Sequence, residues 1–235
     1  MFTAIGYNQQ DIVKNGLVFW VDANDKTSYP GTGTTWRDLS KSYAVGTLTN
    51  GPVYNSGSGG SIVFDGSNDY VTYGSSTSMG VTSSYTLNTW VYWINDTTYG
   101  PMFARYNIGV AASDIEIYMG NTGITTVHNR GNGGTFKYAI FTGFTNNAIV
   151  NFTLTYSGNS WSTYFNGYFN QTISTAANGG SIADPIYNSG YSNVLGAFYY
   201  GRFHGNIYSC NLYNKALSSQ EIFQNYNATK GRFRL

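Results

Sequence analysis

Residues 61–73 read SIVFDGSNDYVTY. Ser61–Phe64 and Asp69–Tyr73 are rich in β-branched and aromatic residues, the composition of strands, and the DGSN between them is turn chemistry. Asp and Asn side chains hydrogen-bond nearby backbone, and Gly enters positive φ without steric penalty. The stretch therefore reads as strand, tight reversal, strand. Its centre, Phe64–Val71, concentrates Asp65, Asn68 and Asp69 in a chain with 11 acidic residues among 235. Calcium is the competing reading: it takes roughly six to eight oxygen ligands, and these three side chains with neighbouring carbonyls would begin such a shell. A periodic D-x-D-x-D arrangement is missing, which favours the turn.

The same grammar recurs on either side. GLVFWVD (16–22) is a short apolar run closed by a polar turn, as a buried strand requires. YTLNTWVYWI (85–94) is a long aromatic strand, with shorter candidates near 102–106, 114–119 and 124–128. IVNFTLTYS (149–157) alternates strictly: Val150, Phe152, Leu154 and Tyr156 share one face, expected to be buried, and Asn151, Thr153 and Thr155 the other, expected to be wet. WSTYFNGYFNQTIS (161–174) reads as a hairpin about Asn166-Gly167. Residues 26–60, with SYPGTGTTW and NSGSGGS, read as loop. SSQEIFQNYNAT (218–229) is the one convincing helix, with Ser218 and Glu221 as a capping box and Ile222, Phe223 and Tyr226 as its apolar stripe. The fold class is all-β. Residues 1–16 form a polar, aperiodic N-terminal arm, and no linker or fixed-period repeat divides 17–235, which reads as a single domain.

Composition excludes several function classes. Charged residues are 10% and the net charge is +1, so no electrostatic argument favours nucleic acid or an anionic membrane surface. No apolar stretch approaches the ~20 residues of a membrane span. The N-terminal MFTAIGYNQQDIVKNG has neither the basic region nor the apolar run of a signal peptide. One cysteine, Cys210, rules out an internal disulfide framework; Tyr208, Cys210 and Leu212 alternate onto one strand face, which makes the thiol buried and inert. Sequons start at Asn95, Asn151, Asn170 and Asn227, as an Asn- and Thr-rich chain produces by chance. Two histidines, His128 and His204, without G-x-S-x-G, H-E-x-x-H or a Cys pair, leave hydrolase triads and zinc sites without parts. The Gly-rich segments at 57–60 and 130–134 precede no helix and read as loops, not phosphate cradles.

GLVFWVDA, SYPGTGTTWRDLS, GSIVFDGSNDYV, YTLNTWVYW, YFNG and the closing FHGNIYSCNLYNKALSSQEIFQNYNATKGRF occur in the order seen in laminin-G-like domains of the concanavalin A-like superfamily. The chain resembles that family over roughly residues 16–233 and, more narrowly, looks like the version common in structural proteins of tailed phages. The resemblance implies a jelly-roll sandwich of two curved antiparallel sheets. It pairs the C-terminal strand near the N-terminal one and lays the short helix across an edge or end. Where relatives often open the strand before the YFNG hairpin with a Trp-His pair, this chain has Ile149-Val150-Asn151, a position of core packing. In laminin-G domains that bind calcium, the site usually comes from separate rim loops, which again leaves FDGSNDYV as a turn.

The superfamily includes glucanases, whose chemistry needs two carboxylates about 5–5.5 Å apart for retention and wider for inversion. Here the only glutamates are Glu116 and Glu221, and Glu221 belongs to the helix cap. Asp114-Ile115-Glu116 puts two carboxylates on one strand face, about 7 Å apart, but in reversed order and without the third of E-x-D-x-E. No catalytic residue is expected. Domains of this type commonly hold glycans with aromatic platforms and planar polar side chains, and the candidates here are Arg105, Asp114, Glu116, Tyr118, His128 and Arg130. The bland alternative is a solvated outer sheet surface.

The resemblance implies a non-catalytic phage virion surface protein, capsid decoration or fibre-associated, that attaches to host-surface glycans. The alternative is a purely structural virion protein without a glycan ligand, and a glycoside hydrolase stands last. Assembly in the host cytoplasm accounts for a surface-type fold without signal peptide or disulfides. No cofactor is expected, with calcium at Asp65, Asn68 and Asp69 as the one exception to test. Expected partners are other virion proteins, through the Met1–Gly16 arm and the Lys230–Leu235 tail, and host glycans. Neither nucleic acid nor membrane insertion is expected, and an oligomer is compatible with the sequence.

Overall fold

The computed structural model describes residues 11–75, 81, 83–94, 99–107, 112–120, 123–130, 136–158, 160–178, 190–198 and 201–235. Its strands are β1 (Leu17–Asp22), β2 (Thr35–Arg37), β3 (Val45–Thr49), β4 (Val53–Asn55), β5 (Ser61–Asp65), β6 (Tyr70–Ser75), β7 (Ser84–Trp93), β8 (Tyr99–Asn107) and β9 (Ala112–Gly120). They continue as β10 (Ile124–Arg130), β11 (Phe136–Phe141), β12 (Ile149–Ser157), β13 (Ser160–Phe165), β14 (Tyr168–Ile173), β15 (Ser192–Leu195), β16 (Ala197–Phe198), β17 (Gly201–Arg202) and β18 (His204–Tyr213). A single α-helix among the described residues, α1 (Ser219–Thr229), is followed by a 3-10 turn over Lys230–Phe233.

Two eight-stranded sheets result. Sheet A runs β14-β13-β12-β7-β18-β5-β4 with β1 paired to β18 as its eighth strand, sheet B runs β11-β10-β9-β8-β15-β6-β3-β2, and β16 and β17 form a separate pair. β18 is long enough to pair with β5 through 204–207 and with β1 through 209–213, so the C-terminal strand does lie against the N-terminal one. All these pairings are antiparallel, and the inner faces meet in one core that includes Phe19, Trp36, Phe64, Trp93, Phe103, Ile117 and Phe152. A two-sheet sandwich with hydrophobic inner faces is the stable solution for alternating strands of this length. The fold is a jelly-roll-like all-β sandwich with one short C-terminal helix.

The FDGSNDYV stretch is a turn, although not a hairpin: β5 lies in sheet A and β6 in sheet B, so the turn carries the chain from one layer to the other. Asp65 Oδ1 accepts from the Ser67 and Asn68 amides at 2.8 and 3.3 Å, and Asp69 Oδ2 accepts from the Asp65 amide at 3.0 Å. Gly66 has φ +75, and a Cβ there would meet the His204 side chain at 2.8 Å. Phe64 and Val71, on either side, both enter the core.

Four further readings are corrected. Residues 26–60 contain β2, β3 and β4, short strands with β2 and β4 at sheet edges and β3 between β2 and β6, whose text is stabilised by pairing rather than propensity. A bulge in β18 skips Tyr208, which therefore packs with Trp90 and Phe233 outside sheet A while Cys210 and Leu212 face the core. α1 crosses the outer face of sheet A rather than an edge or end: Ile222 packs with Tyr164 and Tyr213, and Tyr226 with Trp90 and Tyr208. The supposedly wet face of β12 is consequently dry, with Asn151, Thr153 and Thr155 all buried. These polar groups are satisfied locally, as burial requires: Asn88 Nδ2 donates to Thr153 Oγ1 at 2.6 Å and Asn151 Oδ1 at 3.2 Å.

Three local expectations hold, for a hairpin, a helix cap and a cysteine. Asn166 and Gly167 turn the β13–β14 hairpin at positive φ, 52 and 80. Ser218 and Glu221 form the capping box of α1. Burial pushes the Cys210 thiol up, as an inert core cysteine requires. No helix among the described residues is long and apolar enough to cross a membrane.

Candidate functional site

Sheet B carries the candidate site on its outer face. In β9 the alternation sends Ile115, Ile117 and Met119 into the core and Glu116 and Tyr118 outward. Register places Glu116 between Ala104 of β8 and His128 of β10, with Tyr138 of β11 beyond His128. The four side chains thus form one cross-strand row, the arrangement in which sheet neighbours interact.

Within that row the polar groups are wired together. Glu116 Oε2 lies 3.0 Å from His128 Nδ1, and Oε1 accepts from the Ser113 hydroxyl. His128 Nε2 lies 3.2 Å from the Tyr118 hydroxyl. A carboxylate can only accept, so Nδ1 carries the proton, and in the neutral ring Nε2 accepts from Tyr118. Burial pushes the Tyr118 hydroxyl up to about 12, so it stays a protonated donor at neutral pH. The side chain of His128 remains 24% exposed, whereas that of Glu116, at 11%, is nearly buried, so the imidazole is the group of this set that solvent reaches.

Aromatic rings frame this polar row. Tyr118 stacks on Phe198 at 5.1 Å between centroids and takes the edge of Tyr99 at 5.3 Å. His128 lies 5.3 Å from Tyr138 and 6.3 Å from Phe136. Phe136 and Tyr99 are 38% and 39% exposed, so hydrophobic ring surface stands open beside the imidazole and carboxylate. Apolar ring surface beside fixed donors and acceptors suits a sugar, which has C–H faces and hydroxyls together.

The structure divides the sequence candidates. Glu116, Tyr118 and His128 come together as above. Arg105 and Asp114 do not join them: opposite the step from Arg105 to Tyr106 the β8–β9 register shifts, Asp114 is skipped, and it turns to meet Arg105 at 3.0 Å. Arg105 also donates to the Val81 carbonyl at 3.1 Å, and both charged side chains are fully buried. The expectation that Asp114 and Glu116 lie on one strand face is therefore corrected by a bulge that periodicity cannot reveal. The backbone of Arg130 pairs with Phe136, and its side chain, like Asn95 and residues 131–134 of the Gly-rich segment 130–134, lies outside the described residues. Tyr138 could have been found by extending the alternation of FKYAIF; Ser113 could not, because the same bulge sets its side.

The calcium candidates are engaged in the turn. Backbone donors, that of Ser67 foremost, hold the Asp65 carboxyl below its ordinary range, and burial raises that of Asp69. Among the described residues no group of three or more His, Cys, Asp or Glu side chains is placed to hold a metal ion.

The terminal segments close onto the protein. Val13 is buried, its amide donates to Asn225 Oδ1 at 2.8 Å, and its carbonyl accepts from the Tyr213 hydroxyl at 3.1 Å. In the tail Arg232 pairs with Asp22 at 2.6 Å and Phe233 packs on Trp90, leaving Arg234 and Leu235 exposed. The first ten residues of the arm lie outside the described residues.

A laminin-G-like sequence profile described as the concanavalin A-like lectin/glucanases superfamily matches residues 65–223, more than half of the chain. The chain belongs to this superfamily. That laminin-G-like assignment agrees with the two-sheet architecture and covers the whole outer-face row. Similar solved structures include the binding domain of botulinum neurotoxin serotype G, with TM-score 0.69, 13% identity, and coverage of 89% of this chain and 50% of that one. The serotype D binding domain gives TM-score 0.68 at 15% identity, covering 91% and 52%. The serotype D ligand binding domain in complex with N-acetylneuraminic acid gives 0.68 at 13%, covering 91% and 51%. The laminin-G-like chain spans about half the length of these structures, and at such identities the likeness is one of fold. No curated protein matches the chain.

Proposed function

We propose that this laminin-G-like chain is a non-catalytic glycan-recognition protein of a phage virion surface. The observation that carries the reading is the hydrogen-bonded Glu116–His128–Tyr118 group on the outer face of sheet B, in which His128 is part-exposed beside the exposed rings of Phe136 and Tyr99 while Glu116 and Tyr118 are nearly buried. A fold shared with lectins, and structural neighbours that are receptor-binding domains, one of them in complex with a sialic acid, support it. The carboxylates also favour binding over hydrolysis: Asp114 is committed to a buried ion pair, and Glu116 is held by Ser113 and His128 rather than facing a second acid. Residues 17–235 act in this reading as one domain, displayed as a capsid decoration or with a fibre.

A purely structural virion role is favoured by a different observation. The β13–β14 hairpin exposes Tyr168 and Phe169 beside Phe223 of α1, and β13 and β14 contain no charged residue. Contacts to other virion proteins would use that edge, residues 1–10 and the exposed end of the tail.

Binding of the purified chain to a broad glycan array, with and without calcium, tests the proposal alongside Glu116→Ala and His128→Ala. Selective binding lost in both variants supports it. Binding unaffected by either places recognition elsewhere, and release of reducing sugar that Glu116→Gln abolishes would overturn the non-catalytic reading.

A further inference from the structure

At the β1 edge of sheet A lies an open cleft of about 610 Å³, lined by residues 14–18 and 39–41 with Trp20 and Asn214. This is within the roughly 300–1,000 Å³ typical of small-ligand sites. Its composition is asymmetric. Leu17, Val18, Leu39 and the half-buried Trp20 supply apolar wall, Lys14 and Lys41 are exposed at the rim, and among the described residues no Asp or Glu lines it.

The local backbone fixes this arrangement. Residues 14–17 make a turn closed by the Leu17 amide on the Lys14 carbonyl at 3.2 Å. Gly16 sits at φ +79, where a Cβ would meet Lys215 at 2.9 Å, so only glycine accommodates the turn. The segment before it is anchored on α1 through Val13 and through the Asp11 carbonyl, which accepts from Gln224 at 2.7 Å. Lys14 is thereby delivered over the Trp20 ring, its ammonium 4.2 Å from the centroid. Beneath the opposite wall Asp38 is buried and saturated: it accepts from the Trp20 and Ser40 amides at 2.7 and 2.9 Å and from the Ser40 and Ser42 hydroxyls. These donors fill its acceptor oxygens, and among the described residues neither rim lysine forms an ion pair.

We infer that this cleft is a second binding site, for a carboxylate-bearing sugar such as a uronic or sialic acid residue. Its carboxylate meets Lys14 above the Trp20 ring and Lys41 across the cleft, its apolar face lies along Leu17 and Leu39 beside Trp20, and its hydroxyls reach the Asn15 and Asn214 side chains. Two ammonium groups beside an aromatic wall select against neutral sugars, which gain the ring contact without the charge. The site stands independently of the outer face of sheet B, since it shares no residue with it.

The test is a titration of the full chain, followed by the Trp20 indole resonance, with glucuronic acid, sialyllactose, lactose and acetate. The acidic sugars should shift that resonance, and lactose and acetate should not. Lys14→Gln with Lys41→Gln should weaken binding about tenfold or more, the scale of one lost charge-assisted hydrogen bond, while Glu116→Ala and His128→Ala leave it unchanged. The other tryptophan indole resonances, unmoved in the lysine variant, control for folding. Equal response to lactose, equal response to acetate, or binding indifferent to the lysines would overturn the inference. So would binding that emerges only after residues 1–10 are deleted, because the cleft would then belong to the chain's own terminus.

Discussion

The outer faces of the two sheets are built from similar text and finished differently. On sheet A, Trp90, Tyr208, Tyr164 and Tyr213 are covered by α1 and the tail, and even the Asn and Thr row of β12 is sealed. On sheet B, the Glu116–His128 row keeps exposed aromatic neighbours. A polar outward row is thus not by itself a surface: what the C-terminus covers becomes a second core, and what it leaves open can meet a ligand.

Removing an anchor from the covered face should have the largest effect. Trp90 stacks on Tyr226, lies 4.2 Å from the Phe233 ring and donates its indole N–H to Thr229 at 2.8 Å. Trp90→Ala is expected to lower the unfolding free energy by about 3–5 kcal/mol in urea titration. A loss below about 1 kcal/mol, the scale of a surface change, would break the claim that α1 completes a core. Next comes the ion pair that the bulge withdrew from sheet B. Asp114→Asn leaves Arg105 buried beside a neutral amide and should cost about 3 kcal/mol, whereas replacing both with apolar residues of similar volume should recover most of it. Equal losses in single and double variants would contradict a paired, buried role.

A smaller effect sharpens the comparison through pH. Glu221 caps α1, and its carboxyl is held below the ordinary range chiefly by Lys215 at 2.7 Å, with the Ser218 donors adding to it. A carboxyl depressed in the folded state stabilises fully above the unfolded value of ~4.3 and loses that contribution as pH falls through its own lower pKa. Glu221→Gln should therefore cost about 1 kcal/mol at neutral pH, and the stabilities of the two proteins should converge in acid. A gap that widened on acidification would have the wrong sign.

Much of this fold is legible in sequence because its strands carry local signals. The Asn166-Gly167 turn, the Ser218–Glu221 box and the alternation of β12 each depend on residues a few positions apart. The FDGSNDYV turn is equally local, but that it changes sheets is decided by which distant strands pair, which no short window contains. The site was half legible for the same reason. Glu116, Tyr118 and His128 follow from alternation and register, while Asp114 departs because one unpaired residue in β9 turns it to Arg105. Burial of the β12 polar row was hidden because its cover comes from residues far along the chain.

The claim that the open face of sheet B is the recognition surface is tested most directly by mapping a bound glycan. The His128 imidazole and the Trp90 indole can be followed by NMR as a sugar selected on the array is added, in the native chain and in His128→Ala, whose folding is checked by its urea midpoint. Recognition by sheet B requires His128 to shift, Trp90 to stay still, and the variant to stay folded but lose binding. A sugar that moves Trp90 and leaves His128 unperturbed would contradict it.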